Sequence, residues 1–194
     1  MKPTKPVILA STSPRRRELL AATGLMFTAV ASPYKEVMPQ SADPEELVIR
    51  FSREKARAVR DAFRNSIIIG ADTVVALGNR VFGKPENPED ATDMLYSLQG
   101  RTHAVYTGIT VLDTTDGKER SDVSRTNVTF APLTREQIRA YHRKVSPFDK
   151  AGSYAIQEHA AAFTERIDGE FYTIVGLPVC RLREVLENFG IFLM

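Results

Sequence analysis

The chain has 194 residues, of which 43% are hydrophobic and 26% are charged, values close to those of ordinary globular domains. Its 26 lysines and arginines nearly balance its 24 aspartates and glutamates, which argues against a nucleic-acid partner attracted by overall charge. A single cysteine, Cys180, excludes an intrachain disulfide scaffold. Because we find neither a secretory signal nor an apolar run of membrane-spanning length, we expect a cytoplasmic protein without a membrane partner.

The first quarter of the chain predicts a strand followed by capped helices. The apolar run Val7–Ala10 has no helical period and predicts a buried strand. Ser13 and Asp43 each precede a proline and suit the N-cap position. Helices are therefore predicted over residues 15–23 and from residue 44 to near residue 63.

The next segment predicts a strand and then a hairpin. Ile67–Ile69 predicts a second buried strand, which ends or bends by Asp72. Thr73–Leu77 and Arg80–Phe82 flank a Gly-Asn pair and predict a β-hairpin.

The second half of the chain mixes both kinds of element. The predicted elements are a helix over 87–98, long strands over 103–113 and 120–130, a helix over 134–144, two short strands around the Asp168-Gly169 turn, and a helix over 179–189. This succession predicts an α/β fold with a mixed sheet flanked by helices. We expect one domain over residues 1–194, arranged in two lobes.

The most informative polar segment is STSPRRR, residues 11–17, which directly follows the first predicted strand and begins a helix. Backbone N–H groups at a helix start attract anions, and serine hydroxyls and arginine guanidinium groups add donors suited to phosphate oxygens. We predict a phosphate site here. A capped helix with solvated arginines is the alternative.

Several other side chains are candidates for chemistry. Asp72, at the predicted strand end, could bind a divalent ion or act as a general base, or could be a turn aspartate. Glu36 could supply a second metal ligand. Lys55 and Lys84 could contact phosphate or be solvated surface lysines. Gln157 carries an amide that can match the edge of uracil or thymine, although an exposed glutamine without a partner is the commoner case.

Seven motifs span nearly the whole chain in a fixed order. They are ILASTSPRRRELL at 8–20, REKA at 53–56, GADTVV at 70–75, GKP at 83–85, YTGI at 106–109, DKAGSYAIQ at 149–157 and VGLP at 175–178. In content and order they resemble the Maf family of nucleoside triphosphate pyrophosphatases. The resemblance implies a Maf/ITPase-like fold with a central cleft, a divalent cation (Mg²⁺ or Mn²⁺), and hydrolysis of a nucleotide to its monophosphate and pyrophosphate.

The pair Arg15-Arg16 and the residue Gln157 resemble the branch of the family that hydrolyses dTTP and UTP. Matched by position, the resemblance implies Asp72 as proton acceptor and, as specificity positions, Arg15, Thr73 and Gln157. It also implies residues that line the pocket or hold phosphate and metal. These are Ser11, Ser13, Arg16, Glu36, Lys55 and Lys84, with Glu36 and Asp72 as metal ligands. Lys35 departs from the acid that many members carry, which leaves the number of metal ligands open.

Two other functions stay open from the sequence. A pyrophosphatase of the same fold could act on 7-methyl-GTP or noncanonical purine nucleotides. A regulatory protein affecting cell division could instead use the basic segment Arg15–Arg17 for binding. The resemblance also allows a homodimer, for which the apolar tail Ile191–Met194 could serve as a contact or simply cover the core.

Overall fold

A computed structural model describes residues 5–39 and 42–193 of the chain. Its strands form one mixed sheet with the order β2-β1-β3-β5-β6-β7, and β4 pairs with β3. The strands are β1 (Val7–Leu9), β2 (Thr28–Ala29), β3 (Ile67–Leu77), β4 (Arg80–Phe82), β5 (Thr102–Asp113), β6 (Glu119–Phe130) and β7 (Thr164–Asp168). Strand β1 runs parallel to β2 and β3, and the other pairs are antiparallel.

Strand β3 has one fully paired edge and one interrupted edge. Strand β5 pairs with residues 67–76 along the first edge. On the other edge, β1 pairs with residues 67–69 and β4 with residues 75–77. No strand of the described chain covers residues 70–74 on that side. The sheet therefore has a gap beside the middle of β3.

Helices cover both faces of the sheet. They are α1 (Pro14–Ala22), α2 (Pro44–Arg57), α3 (Pro88–Leu98), α4 (Arg135–His142), α5 (Phe171–Val175) and α6 (Val179–Glu187). Ser13, Asp43 and Thr134 are confirmed as N-caps, because each side chain accepts a hydrogen bond from a backbone N–H of the first turn. Thr134 and Gln137 form the expected capping box. Across residues 5–39 and 42–193, no helix is long and apolar enough to cross a membrane.

Alternate side chains of β3 enter cores on opposite faces of the sheet. Ile69 and Val75 pack in the larger core with leucines of α1, whereas Val74 packs against α2. Helix α2 approaches the sheet closely above Gly70 and Gly108, where an added Cβ would overlap a carbonyl oxygen of the helix. These two glycines therefore determine how near α2 lies to the sheet.

The structure corrects three sequence predictions. Strand β3 is continuous through residue 77, so the prediction that it ends or bends by Asp72 was wrong. It continues because β5 pairs with it throughout. The second short strand predicted after Gly169 is the helix α5, which ends at Gly176 with φ 109°. Helix α2 ends at Arg57 rather than near residue 63.

Two further elements differ from expectation. A short 3₁₀ turn over Arg60–Ala62 follows α2, and the two-residue strand β2 was not predicted. In the C-terminal tail, Ile191 is buried in the larger core and Phe192 is 60% exposed. Met194 lies outside the described residues.

Candidate active site

A cavity of about 550 Å³ lies beside the gap in the sheet. Residues that follow β1 and β4, the start of α1, the middle of β3 and the loop 148–157 line it. Every site residue predicted from the sequence is part of this lining. These residues are Ser11, Ser13, Arg15, Arg16, Glu36, Lys55, Asp72, Thr73, Lys84 and Gln157.

The gap explains how two consecutive residues of one strand line the same cavity. Side chains alternate between the faces of a strand, so Asp72 and Thr73 point to opposite sides of β3. Asp72 lies on the α2 side and Thr73 on the α1 side, and the cavity reaches both where β1 has ended. Asp72 is therefore accessible because its neighbouring strand is short, and not because β3 ends there.

Lys55 joins the two predicted metal ligands. This lysine lies on α2, is 8% exposed, and its Nζ donates to Asp72 and also contacts a carboxylate oxygen of Glu36. Asp72 is 4% exposed, whereas the Glu36 side chain is 27% exposed. Two carboxylates thus converge on one point at the edge of the cavity.

The two carboxylates have opposite pKa shifts. Burial raises the pKa of Asp72 above its ordinary value, and the positive charge of Lys55 opposes this only in part. Burial also acts to raise the pKa of Glu36, but the charge and hydrogen bond of Lys55 outweigh it and the pKa is lowered. Asp72 is therefore the more basic carboxylate of the two.

The start of α1 forms the predicted anion-binding segment. The Ser13 side chain caps the helix, and the Ser13 N–H donates to Ser11 Oγ at 3.2 Å. Arg16 extends from the first turn and donates through Nε to Gly176 O at 2.7 Å and through a terminal nitrogen to Thr73 Oγ1 at 3.0 Å. Burial lowers the pKa of Arg16, but a guanidinium still stays charged at neutral pH.

Arg15 connects the start of α1 to the loop on the opposite side of the cavity. It donates to Asp149 Oδ2 at 2.8 Å and to the Asp149 backbone carbonyl at 3.1 Å. Lys150, which is 6% exposed, donates to Asp149 Oδ1 at 2.7 Å and to Ser146 O at 2.9 Å. The same loop carries Gln157, an exposed residue at the cavity wall. Arg15 therefore helps to hold the loop on which Gln157 lies.

The charge of the cavity suits an anionic ligand. Five cationic side chains and three acidic ones line it, and the exposed Lys84 is one of the cations. The lining also places hydroxyl groups beside the cations. Charge-assisted hydrogen bonds from such groups are the strong contacts that phosphate oxygens make in proteins.

The donor set fits a single divalent cation of the hard type. Within residues 5–39 and 42–193, no group of three or more His, Cys, Asp and Glu side chains is arranged as a metal site. Glu36 and Asp72 nevertheless converge on the same point, where Lys55 Nζ lies. Mg²⁺ is commonly held by one or two carboxylates together with substrate phosphates, so two carboxylates beside an anion site are a suitable set.

Sequence reasoning missed several residues of this site. Thr107, on β5, contacts Thr73 from beneath the cavity, and Ser32 Oγ donates to Lys55 O at 3.1 Å. Asp149 was noted only as part of a loop. Phe148, 48% exposed, lines the cavity beside it and offers an aromatic face. Thr107 and Asp149 lie inside the motifs YTGI and DKAGSYAIQ and Phe148 lies next to the latter, whereas Ser32 lies outside all seven motifs and had no sequence signal.

The comparison with known proteins agrees with the resemblance. A family model described as Maf-like protein matches residues 6–189. A dTTP/UTP pyrophosphatase of Lachnoclostridium phytofermentans is 43% identical over 192 residues, covering 97% of each chain. A protein of the same name from Methanosarcina barkeri is 44% identical over 186 residues, covering 95% of this chain and 94% of that one.

A solved nucleoside-triphosphatase / dITP/XTP pyrophosphatase from Mycobacterium abscessus aligns with a TM-score of 0.42 and 15% identity, over 66% of this chain and 74% of that one. The family model and the two close relatives each cover nearly the entire chain, including every motif and every cavity residue named above. This chain therefore belongs to the Maf-like protein family.

Proposed function

We propose that the protein is a nucleoside triphosphate pyrophosphatase that hydrolyses dTTP and UTP to the nucleoside monophosphate and pyrophosphate. The observation that carries the proposal is the convergence of the ten predicted side chains on one cavity with a cationic excess. The choice of nucleotide is supported by the names of the relatives at 43% and 44% identity. The expected compartment is the cytoplasm, where the substrate would be a free nucleotide.

The triphosphate would bind between the start of α1 and Lys84. Arg16 is already oriented by Gly176 O and Thr73 Oγ1, so little side-chain freedom is lost when it meets an anion. Ser11 and Ser13 add hydroxyl groups at the N-terminus of α1. Lys84 would contact the phosphates as an exposed point charge from the opposite side.

Asp72 would act as the general base. It would accept a proton from a water molecule whose oxygen attacks the α-phosphorus. The bond between the α-phosphorus and the bridging oxygen then breaks, and pyrophosphate leaves with the negative charge. Lys55 keeps Asp72 in place, and its positive charge opposes the rise in the pKa of Asp72 that burial causes, which favours the carboxylate form.

Glu36 and Asp72 would hold the divalent cation, Mg²⁺ or Mn²⁺, that the family resemblance implies. When bound, the cation would neutralise charge on the phosphates and so assist departure of pyrophosphate. Lys55 and Arg16 supply part of the same neutralisation from the protein itself.

The nucleobase of the substrate would lie towards the loop 148–157. Gln157 offers one acceptor and two donors, which match the carbonyl and imide N–H of uracil and thymine. Thr73 and Arg15 would contribute to the same choice of nucleotide, Arg15 by holding the loop through Asp149.

The test is pyrophosphate release from dTTP, UTP, CTP, GTP, 7-methyl-GTP and ITP, with Mg²⁺ or Mn²⁺ and with a chelator. We expect metal-dependent release concentrated on dTTP and UTP, with the monophosphate as the second product. Release concentrated on 7-methyl-GTP or ITP would contradict the pyrimidine assignment. A folded protein that releases pyrophosphate from none of the six would contradict the proposed activity.

A further inference from the structure

A chain of hydrogen bonds runs from the cavity into the larger core. Arg16 donates to Thr73 Oγ1 at 3.0 Å, and Thr73 Oγ1 lies 2.9 Å from Thr107 Oγ1. Thr107 Oγ1 in turn lies 2.7 Å from the backbone carbonyl of Thr173 on α5. Thr73 and Thr107 are direct cross-strand partners of β3 and β5, so their hydroxyls lie side by side on one face.

The two ends of this chain determine the direction of every hydrogen bond in it. A guanidinium group can only donate, and a carbonyl oxygen can only accept. The single proton of Thr107 must therefore go to Thr173 O. The contact between the two hydroxyls then requires the proton of Thr73, which leaves Thr73 to accept from Arg16.

We propose that Thr107 is a positioning residue that makes Thr73 a pure hydrogen-bond acceptor towards the cavity, so that Thr73 recognises a donor group of the nucleotide. A hydroxyl group has one proton and two lone pairs. Thr73 donates its proton to Thr107 and accepts from Arg16 with one lone pair. One lone pair remains for the ligand. Thr73 thus cannot donate to a phosphate oxygen, and its partner is a sugar hydroxyl, because the one N–H of uracil and thymine is assigned to Gln157.

The surroundings keep this arrangement in place. Thr107 and Thr173 are both fully buried, so water cannot replace either of them as a hydrogen-bond partner. Gly176 lies against the Thr73 hydroxyl, and a Cβ at position 176 would be 3.2 Å from Thr73 Oγ1. Thr107 is not part of the cavity lining, so it acts on the nucleotide only through Thr73.

This inference rests on the proposed function, and the first experiment uses its substrate. The values of kcat/KM are measured for dTTP, for 3′-deoxythymidine triphosphate, which lacks the sugar hydroxyl, and for the N3-methyl analogue, which lacks the imide N–H. The wild type should lose at least about tenfold on the 3′-deoxy analogue, because a site that pairs with a polar group rejects the analogue lacking it. The N3-methyl analogue reports on Gln157, and an unchanged kcat/KM on the 3′-deoxy analogue would contradict a sugar-hydroxyl partner for Thr73.

Thr107→Val should reduce that discrimination by about fivefold, the effect of one typical hydrogen bond, because Thr73 regains a free proton and can rotate. Thr107→Ser keeps the hydroxyl and should keep the discrimination. Thr110→Val is the matched control, since Thr110 is also fully buried on β5 and bonded to two hydroxyls, but these belong to Ser52 and Ser121 and not to Thr73. In a Thr73→Val background, Thr107→Val should have no further effect on discrimination.

An NMR measurement separates this inference from the proposed function. In the protein without nucleotide, Thr107→Val should shift the resonance of the terminal Arg16 Nη–H that donates to Thr73, and Thr110→Val should not. An unchanged Arg16 resonance, or equal discrimination in wild type and Thr107→Val, would overturn the inference. Absence of pyrophosphate release from dTTP by the wild type would overturn the proposed function, while the Arg16 resonance would still decide the role of Thr107.

Discussion

Asp72 has two neighbours whose charges act on it in opposite directions. Lys55 favours its carboxylate form, whereas burial and the nearby Glu36 favour the protonated form. An aspartate with a raised pKa is a stronger base than an exposed one when it is ionised. The contact with Lys55 opposes the effect of burial and favours the ionised form that a general base requires.

We expect Asp72→Asn to lower turnover of dTTP by about 10²–10⁴-fold, the usual contribution of general-base assistance. An amide cannot accept the proton of the attacking water. Steady-state kinetics measure the loss, and circular dichroism checks that the variant is folded. Asp113→Asn is the control, because Asp113 is also a largely buried aspartate, bonded to Lys5 at 2.5 Å and outside the cavity lining. Near-normal turnover by a folded Asp72→Asn protein would contradict the assignment.

Substitution of Gln157 tests recognition of the nucleobase separately from the hydrolytic step. Gln157→Ala should lower kcat/KM for dTTP and UTP together by roughly tenfold or more and change residual activity on CTP and GTP much less. Its amide would pair with an edge that only uracil and thymine present. Gln137→Ala, which removes a glutamine of the capping box of α4, is the control. Equal losses on all four nucleotides would make Gln157 a structural residue.

At the scale of elements, β3 and α2 together form the acidic part of the site. Helix α2 places Lys55 above the sheet, and β3 directs Asp72 to the face of the sheet that α2 covers. The distance between them depends on Gly70, whose missing Cβ leaves space for the carbonyl oxygen of Ser52. A small residue in the middle of a strand thus controls the geometry of a charged pair.

Gly70→Ala should therefore destabilise the protein by about 1–3 kcal/mol or more and weaken catalysis, because the added methyl would push α2 away from β3. Urea denaturation measures the free energy of unfolding, and the dTTP assay measures the activity. Gly83→Ala is the control for stability, since its new Cβ would meet only side-chain atoms of Met38 at 3.6 Å or more. Equal free energies of unfolding for the two variants would refute this account.

The prediction of elements succeeded where the signals were local. Ser13, Asp43 and Thr134 were identified as caps because their partners lie within three residues. The prediction that the strand ends or bends by Asp72 was wrong because pairing with β5, far along the chain, keeps the segment in the strand. Likewise, the motifs indicated the ten cavity residues, but the bond between Arg15 and Asp149 spans 134 positions and has no local signal.

At the scale of the whole molecule, a buried histidine links stability to pH. His103 is 2% exposed, contacts Tyr154 Oη at 2.9 Å and packs edge-on against Phe130 in the larger core. Burial lowers the pKa of His103 to about 4 from an ordinary value of 6.5. The folded protein therefore keeps this imidazole neutral under mildly acidic conditions.

Between pH 6.5 and about 4, unfolding allows His103 to bind a proton that the folded state excludes. The free energy of unfolding should fall as the pH is lowered through this range, with up to about 3 kcal/mol due to His103. Denaturation curves at several pH values should show that the free energy of unfolding depends less steeply on pH in His103→Gln than in the wild type. His159→Gln, at an exposed position, should keep the wild-type slope. If the free energy of unfolding depends on pH with the same slope in both variants, His103 is excluded as the cause of its fall at low pH.

The gap beside β3 also decides where the chain tolerates a change of length. Asp72 and Thr73 reach one cavity from opposite faces, and a one-residue shift of a strand moves every side chain to the other face. Inserting one residue near Gly70 would place Asp72 beside Arg16, whereas deleting one would place Thr73 beside Lys55. The β3–β4 turn at Gly78, where nothing approaches within 4 Å, can accept added residues, and a tag or label placed there would leave the register of the strand unchanged.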